Sequence, residues 1–402
     1  MVARVGLGVI KNPCKSLAWG VIVCNYAGDE PVVVFMHATI FHPKPKEQSM
    51  LIIAIDLGKF NSVACLYHTE TQKQQFETLS TDRGFFETLF KTYSPELVVV
   101  EACGPSGWVS DLCAELGLEI IVCSTHEDAW MFKNVKRKTD KDDAIKLARL
   151  ASVDQLVRTH VPSKAVREHR RLIKYRKKFV ELISQSKCII RSIFVNQGVR
   201  ISTGAETWHT GRIFLEENAK PLAECALDEL WRGELHLELA RLESLEANLK
   251  TIDKQLAKIA KTNDQIRRVQ TINGVGRVTA EAIVAYIDAP HRFKNGRQVS
   301  AYAGMVPRQY QSGTTDRRGR ITKRGPRLLR TLLVECAWCS LRYNQWSRET
   351  YDRIHAGKQP RKKKAAVAIA RRILVLAWAM MRNETDYDAS RNIKPAQEKT
   401  AA

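Results

Sequence analysis

Apolar positions change their period along this chain, and each change predicts a different kind of structure. Leu51 to Ile55 is an unbroken apolar run that ends in Asp56 and Gly58, the pattern of a buried central strand finishing at the rim of a sheet. Val63, Cys65 and Tyr67 alternate with other residues over Asn61 to His68, and a polar turn at Thr69 to Gln74 follows, predicting a hairpin partner for the first strand. Leu97 to Glu101 and Glu119 to Cys123 read as two more strands, and Gly84 to Tyr93, Val109 to Leu116 and Asp140 to Ala151 as helices. A hairpin followed by βα units predicts a mixed sheet with helices on its faces, an α/β domain over residues 50–155.

Beyond this the spacing is helical. Leu242, Leu249 and Leu256 are seven apart, as are Leu245, Ile252 and Ile259, a 3-4 apolar repeat that suits an intramolecular helical hairpin and an intermolecular coiled coil equally. With the helix expected over Ala165 to Asn196, it makes a helical coiled-coil middle region, 156–263, interrupted by a loop-rich insertion at 198–233 that holds Gly204, Trp208, Gly211 and Pro221. A third, mainly helical domain is expected over 264–385. In it Leu332, Cys336, Cys339 and Leu341 fit one buried stripe and Val367 to Met381 another. Residues 386–402 read as a disordered tail. At the other end, Val21 to Val23 and Val32 to Phe35 fit short strands, and Pro43-Lys44-Pro45 a linker. Met50 stands directly before the organising strand, so residues 1–49 are expected to be either a loosely attached extension or the product of an upstream start.

Charge narrows the partner. The 402 residues carry 64 Lys plus Arg against 43 Asp plus Glu, a formal charge of +21, which favours a polyanion. The longest apolar run, Ile373 to Met381, is too short to span a bilayer, and the N-terminus lacks the pattern of a signal peptide, so a cytoplasmic, nucleoid-associated protein with no membrane partner is expected. Ten scattered cysteines suit a reducing compartment, and the lone Cys336-x-x-Cys339 pair lies inside an apolar helical pattern, which favours packing over zinc.

Candidate chemistry begins with acids. Asp56 and Glu101 each close an apolar strand. Asp140 and Asp143, three apart and about 60° from each other around a helix, share a face, whereas Asp142 lies roughly 200° from Asp140. Thr139 as N-cap with Asp142 three residues on would explain acids in a first turn without any chemistry, and the helix dipole favours them there as well. Set beside Asp56 and Glu101, however, they make four carboxylates that one fold could converge, a cluster that repels itself unless divalent cations occupy it.

Basic clusters supply the complementary half. Arg170, Arg171, Lys174, Arg176, Lys177 and Lys178 crowd one helix, with sign and density suited to nucleic acid rather than only a solvated face. Arg361 to Lys364 fits a solvated helix start and a phosphate contact equally. Val269 to Ala280 looks like a helix-hairpin-helix segment in which Gly274 and Gly276 permit a tight turn and free amides can approach phosphate. Gln311-Ser312-Gly313 marks a sharp turn, surrounded in sequence by Arg308, Arg317, Arg320, Lys323 and Arg324, charges suited to a phosphodiester. By itself Ser312 is a turn residue. Ser300, in the apolar Val299-Ser-Ala-Tyr run, belongs in a helix interior.

Taken together, Asp56, Glu101 and Asp140-x-x-Asp143, with Lys59 three residues after the first acid and Lys138-Thr139 before the pair, resemble the RNase H/RuvC-like DEDD domain of the "one-ten" family of bacterial insertion-sequence transposases. The ordered set from Phe293 through Gln311-Ser312-Gly313 to Gly319-Arg-Ile-Thr-Lys-Arg-Gly325 resembles that family's C-terminal transposase domain. The resemblance implies that Asp56, Glu101, Asp140 and Asp143 hold Mg²⁺, as two ions that Mn²⁺ could replace, and that Ser312 is the nucleophile that attaches to DNA. It implies a composite site shared within a dimer or tetramer, and a structured guide RNA that pairs with target and donor DNA. Lys59, Arg170, Arg171, Lys174, Lys177, Gly274, Gly276, Arg308, Arg320, Lys323 and Arg324 are the expected nucleic-acid contacts. Two alternatives stay open: a RuvC-like structure-specific endonuclease that uses water, and a non-catalytic nucleic-acid-binding protein.

Overall fold

A computed structural model describes residues 20–23, 33–36, 50–124 and 139–389 apart from 203 and 314. Lys138, most of the extension at 1–49 and the tail from 390 lie outside the described residues. The chain divides into two compact units, one comprising Met1–Glu101 and Leu116–Val157 and the other Ala102–Glu115 and Arg158–Ala402.

In the first unit, strands β1 (Gly20–Val23) and β2 (Val33–Met36) pair antiparallel, close to where the apolar pattern set them. The main sheet contains β3 (Leu51–Asp56), β4 (Asn61–His68), β5 (Gln74–Ser80), β6 (Leu97–Glu101) and β7 (Glu119–Cys123) in the order β5-β4-β3-β6-β7. Central β3 runs antiparallel to β4 and parallel to β6, and β6 runs parallel to β7, so the mixed sheet is as expected. Strand β5 was not expected. Its sequence, QQFETLS, has no buried position, and it is an edge strand that owes its form to pairing with β4 rather than to burial.

Helix α1 (Arg83–Tyr93) starts at Asp82, whose carboxylate accepts from the Gly84 amide at 2.8 Å. Helix α3 (Asp140–Ser152) lays Ala144, Leu147, Ala148 and Ala151, spaced at i, i+3, i+4 and i+7, on the sheet face made by Ile52, Ala54, Cys65, Leu97, Val99 and Ile121. Each fully buried Leu or Ile there contributes about 1.5–3 kcal/mol, enough to fix the helix on the sheet.

The second unit is helical apart from one hairpin. It takes in α2 (Ser106–Glu115), which lies between β6 and β7 in sequence and was expected with the sheet. Asp111 of α2 forms an ion pair with Arg167, at the start of the long helix α4 (Lys164–Asn196). Helix α6 (Leu230–Lys261) carries the heptads, and the contact with α4 settles their use. Leu242 buries with Ile183, Ile190 and Phe194 of α4, and Ile252 and Leu256 bury with Ile173 and Phe179, so the stripe closes an intramolecular hairpin. Leu245, Leu249 and Ile259 of the same stripe stay half-buried. The insertion is more ordered than expected, with a short α5 (Arg212–Asn218) whose Leu215 joins the α4–α6 core.

No break in packing occurs near residue 263. The cluster that buries Ile252 and Leu256 continues into α7 (Asp264–Gln270), α8 (Arg277–Ile287), α10 (Arg327–Tyr343) and α12 (Lys362–Asn383). An ionic chain crosses the same junction. Asp253 accepts from Arg176 Nε at 2.8 Å and from Arg277 Nη2 at 2.9 Å, and Arg277 Nη1 donates to the fully buried Glu281 at 2.9 Å. Burial pulls the Asp253 carboxyl upward, but the bonds from Arg176 and Arg277 outweigh it and hold it below the usual range. Burial dominates at Glu281 and raises it.

The expected stripe in α10 holds at Leu332 and Cys336 but not at Cys339, which is exposed. Burial, then Cys339, push the Cys336 thiol up to about 12, and its Sγ lies 3.3 Å from the Gly274 carbonyl, consistent with packing. The start of the expected tail is docked: the Tyr387 amide donates to Thr271 Oγ1 at 3.0 Å, and Asn344 Nδ2 donates to the Tyr387 hydroxyl at 3.2 Å. No helix among the described residues is long and apolar enough to cross a membrane.

Candidate functional site

Strand register places two of the acids side by side. Ile55 pairs with Val100 in the parallel β3–β6 ladder, so Asp56 and Glu101 are the next residues on adjacent strands, about 4.8 Å apart in the pairing direction. Both are half-buried at the ends of strands whose preceding residues are fully enclosed. Glu101 is in register with Cys123 of β7, and burial, then the Glu101 carboxylate, push that thiol up to about 11.

Helix α3 supplies the second pair. Thr139 caps it, with Oγ1 accepting from the Asp142 amide at 3.2 Å and donating to Asp142 Oδ2 at 2.7 Å, so Asp142 is committed to the cap. Asp140 stands one turn before Ala144 and Asp143 one turn before Leu147, so both stem from the side of the helix that meets the sheet. Lys141, in the same turn, lies 5.6 Å from the Phe76 ring centroid. Phe76 pairs with Cys65, and Cys65 with Ala54, two residues before Asp56, so the first turn of α3 lies over the half of the sheet that ends in the acids. Asp140 is exposed and Asp143 half-buried.

Among the described residues no three His, Cys, Asp or Glu side chains form a ready-made cation site. The donor set still fits a hard divalent ion, because all four candidates are carboxylates and two of them end neighbouring strands. Lys59 is exposed, 4.9 Å from the Phe60 ring.

Ser312 ends a strand and is not only a turn residue. Strands β8 (Pro307–Ser312) and β9 (Thr315–Ile321) form an antiparallel hairpin, with every residue of β8 exposed. Register pairs Ser312 with Thr315 and Tyr310 with Arg317, so these four share one face. On the other face Gln309 Nε2 donates to Asp316 Oδ1 at 3.1 Å. Arg317 is therefore on the serine's face, as is Arg308, four residues before Ser312 along β8. Arg308, Arg320, Lys323 and Arg324 are also exposed.

The hairpin is locked at its root. Helix α9 (Gly296–Tyr302) ends at Gly304, with φ +66°, which crosses Gly325, with φ +102°. A Cβ on Gly304 would lie 1.8 Å from the Arg324 carbonyl oxygen, and one on Gly325 would lie 1.9 Å from that of Tyr302. The Lys323 amide donates to the Gly304 carbonyl at 3.0 Å, and Arg330 Nη1 donates to the carbonyls of Ala303 and Gly325 at 3.1 and 2.9 Å. Ser300 is buried and donates to the Gly296 carbonyl at 2.8 Å, the helix-interior role expected of it.

The basic run on α4 divides by face. Arg170 turns inward, donating to the Ala285 carbonyl at 2.7 Å and to that of Tyr286 at 3.2 Å, which caps α8. Arg176 goes to Asp253, and Lys177 lies 3.7 Å from Glu335. Arg171, Lys174, Tyr175 and Lys178 remain exposed on one side. Gly274, with φ +94°, packs against Ser340, where a Cβ would come within 2.7 Å of its Cα, while Gly276 is open.

Comparison with known proteins matches two stretches of the chain. Residues 53–196 fit a DEDD transposase model and residues 266–352 a model described as transposase of the IS116/IS110/IS902 family. The chain is 29% identical over 303 residues to the transposase for insertion sequence element IS1111A of Coxiella burnetii, covering 72% of this chain and 79% of that one. It is 23% identical to the transposase for insertion sequence element IS1328 of Yersinia enterocolitica, over 84% of this chain and 99% of that one. Over a shorter stretch, 31% of this chain, it is 27% identical to the pilin gene-inverting protein of Moraxella bovis. With the acid-bearing sheet and the serine-bearing hairpin each inside a matched region, the chain belongs to the IS116/IS110/IS902 family of DNA transposases.

Proposed function

We propose that this transposase exchanges DNA strands through a covalent serine intermediate. The observation that carries the reading is the position of Ser312, exposed at the end of a root-locked hairpin on the same face as Arg317. Ser312 Oγ attacks phosphorus, the bond from phosphorus to the 3′-oxygen breaks, and that oxygen leaves as a hydroxyl after taking up a proton. The 5′ end is held as a phosphoserine until the 3′-hydroxyl of a partner strand attacks the same phosphorus and releases the serine. Each step forms one phosphodiester and breaks another, so no nucleotide triphosphate is consumed.

Asp56, Glu101, Asp140 and Asp143 would hold Mg²⁺, as two ions that Mn²⁺ could replace, supplying Lewis-acid stabilisation of the scissile phosphate and of the leaving oxygen. Arg317 neutralises the phosphate that Ser312 approaches, and Arg308, Arg320, Lys323 and Arg324 hold the flanking backbone. A structured guide RNA selects the DNA, and the exposed side of α4, Arg171, Lys174 and Lys178 with Tyr175, offers it charge and a stacking surface. The active form is a homo-oligomer that works at the nucleoid.

The test incubates the purified protein with element-end DNA, co-purified RNA and Mg²⁺, followed by a denaturing gel and mass spectrometry for a nucleotide linked to Ser312. Ser312→Ala should give neither adduct nor exchange. Full strand exchange by that variant would refute the covalent mechanism, and hydrolysis without an adduct would point to a water-using nuclease.

A further inference from the structure

The second unit contains a cleft of about 900 Å³ that the chemistry above does not use. That volume is within the roughly 300–1,000 Å³ typical of small-molecule sites. Arg297 of α9, Trp346 of α11 (Gln345–His355) and Arg371 and Arg372 of α12 line it, with Val375 and Leu376 as an apolar floor. Among the described residues that line it none is acidic.

Three guanidinium groups around one cleft repel one another, and one drawn partly out of solvent, as Arg372 is, is ordinarily paired. Here no carboxylate lies within ion-pair distance of Arg297, Arg371 or Arg372 among the described residues. Arg372 Nη1 donates only to Thr350 Oγ1, at 3.2 Å, and its guanidinium lies 5.9 Å from the Trp346 ring. Burial, then Arg353 and Arg371, disfavour the charged form of Arg372, a cost that an incoming anion would relieve. The cleft therefore combines unneutralised arginines, an aromatic ring that is only partly buried and an apolar floor. These are the elements that grip one unstacked nucleotide: charge for the phosphate, a π-face for the base.

Its place in the fold gives the nucleotide a position. Val306 lines the cleft and directly precedes β8, and its carbonyl accepts from the Thr322 amide at 2.8 Å, closing the root of the hairpin. The six residues of β8 from there to Ser312 span about 20 Å at the rise of a strand, or roughly six base-pair steps of a duplex.

We propose that the cleft between α9, α11 and α12 captures a single unpaired nucleotide of a nucleic-acid strand, with its phosphate on Arg297, Arg371 and Arg372 and its base against Trp346. Single-stranded DNA and a single-stranded segment of RNA share this chemistry, and the test separates them. The site stands apart from the serine chemistry, because binding is measured in EDTA, where failure of Ser312 as nucleophile would leave it unaffected.

The experiment titrates the full chain with fluorescent oligothymidylate, oligouridylate and a duplex of equal length. Trp346→Leu should weaken single-strand binding about tenfold and duplex binding little. Arg297→Ala with Arg371→Ala, both at exposed positions outside the core, should lower the salt dependence of single-strand binding by about 1 in log–log slope. That double variant keeps the test valid if Trp346→Leu disturbs packing. A greater loss for oligouridylate assigns the nucleotide to RNA, and a greater loss for oligothymidylate assigns it to DNA; either supports the site. Equal losses for duplex and single strands, or unchanged single-strand binding in the double arginine variant, would overturn it.

Discussion

The acid-bearing sheet and the serine-bearing hairpin hold their side chains in place by opposite means. Asp56 and Glu101 stand on strands with fully buried interiors, so the hydrophobic core beneath them sets their spacing through register. Ser312 stands on a strand with no buried residue, and its position depends on a backbone lock at the root, where Gly304 and Gly325 cross. The difference predicts how each fails. A polar substitution at the sheet edge can remove chemistry and leave the fold intact, whereas a methyl group at the hairpin root removes chemistry by displacing its support.

The largest effect is expected at the sheet. Glu101→Gln should lower strand exchange by about a thousandfold or more, the scale seen when one strongly stabilising group leaves an active site. Stability should change by no more than about 0.5 kcal/mol, since the residue is only half-buried and one source of carboxylate repulsion disappears. Exchange assays with urea denaturation of the same preparation check both halves. A large loss of stability would show that Glu101 holds the sheet together rather than serving the reaction.

Next is Gly304→Ala. The added Cβ would meet a backbone oxygen at 1.8 Å, so the turn has to move, at an expected cost of about 3 kcal/mol. Denaturation should show the second unit melting earlier and the first unchanged, with exchange lost. A variant of native stability and activity would break the comparison, because the hairpin root would then be adaptable.

The smallest effect sharpens the contrast on α4. Lys174→Ala, on the exposed side, should leave stability unchanged, weaken nucleic-acid binding uniformly across sequences and reduce the salt slope by about 1. Arg170→Ala should instead destabilise by about 1–3 kcal/mol, because it strips two carbonyls at the end of α8 of their donor. Filter binding over a salt series and thermal melts distinguish the two. Equal effects on binding would mean that the inward and outward faces are not functionally separate.

The sequence by itself determined the centre of the sheet, because runs such as Ile52 to Ile55 and Leu97 to Val100, each closed by an acid, have the unbroken apolar pattern of strands buried on both faces. It also determined that Asp140 and Asp143 share a face while Asp142 caps, since helical periodicity is local. What it left open was decided by partners distant in the chain. The polar β5 is a strand only because β4 offers it hydrogen bonds. Leu242 of the α6 heptads is buried against α4 because Ile183, Ile190 and Phe194, about 50 residues away in sequence, pack on it. Arg170 and Lys174, indistinguishable as charges in one basic run, have different roles because only the packed helices decide which side of α4 meets the end of α8. The cleft with its three arginines was equally illegible: Arg297 is more than 70 residues from Arg371 in sequence, and only the packing of α9 and α11 on α12 brings their charges to one opening.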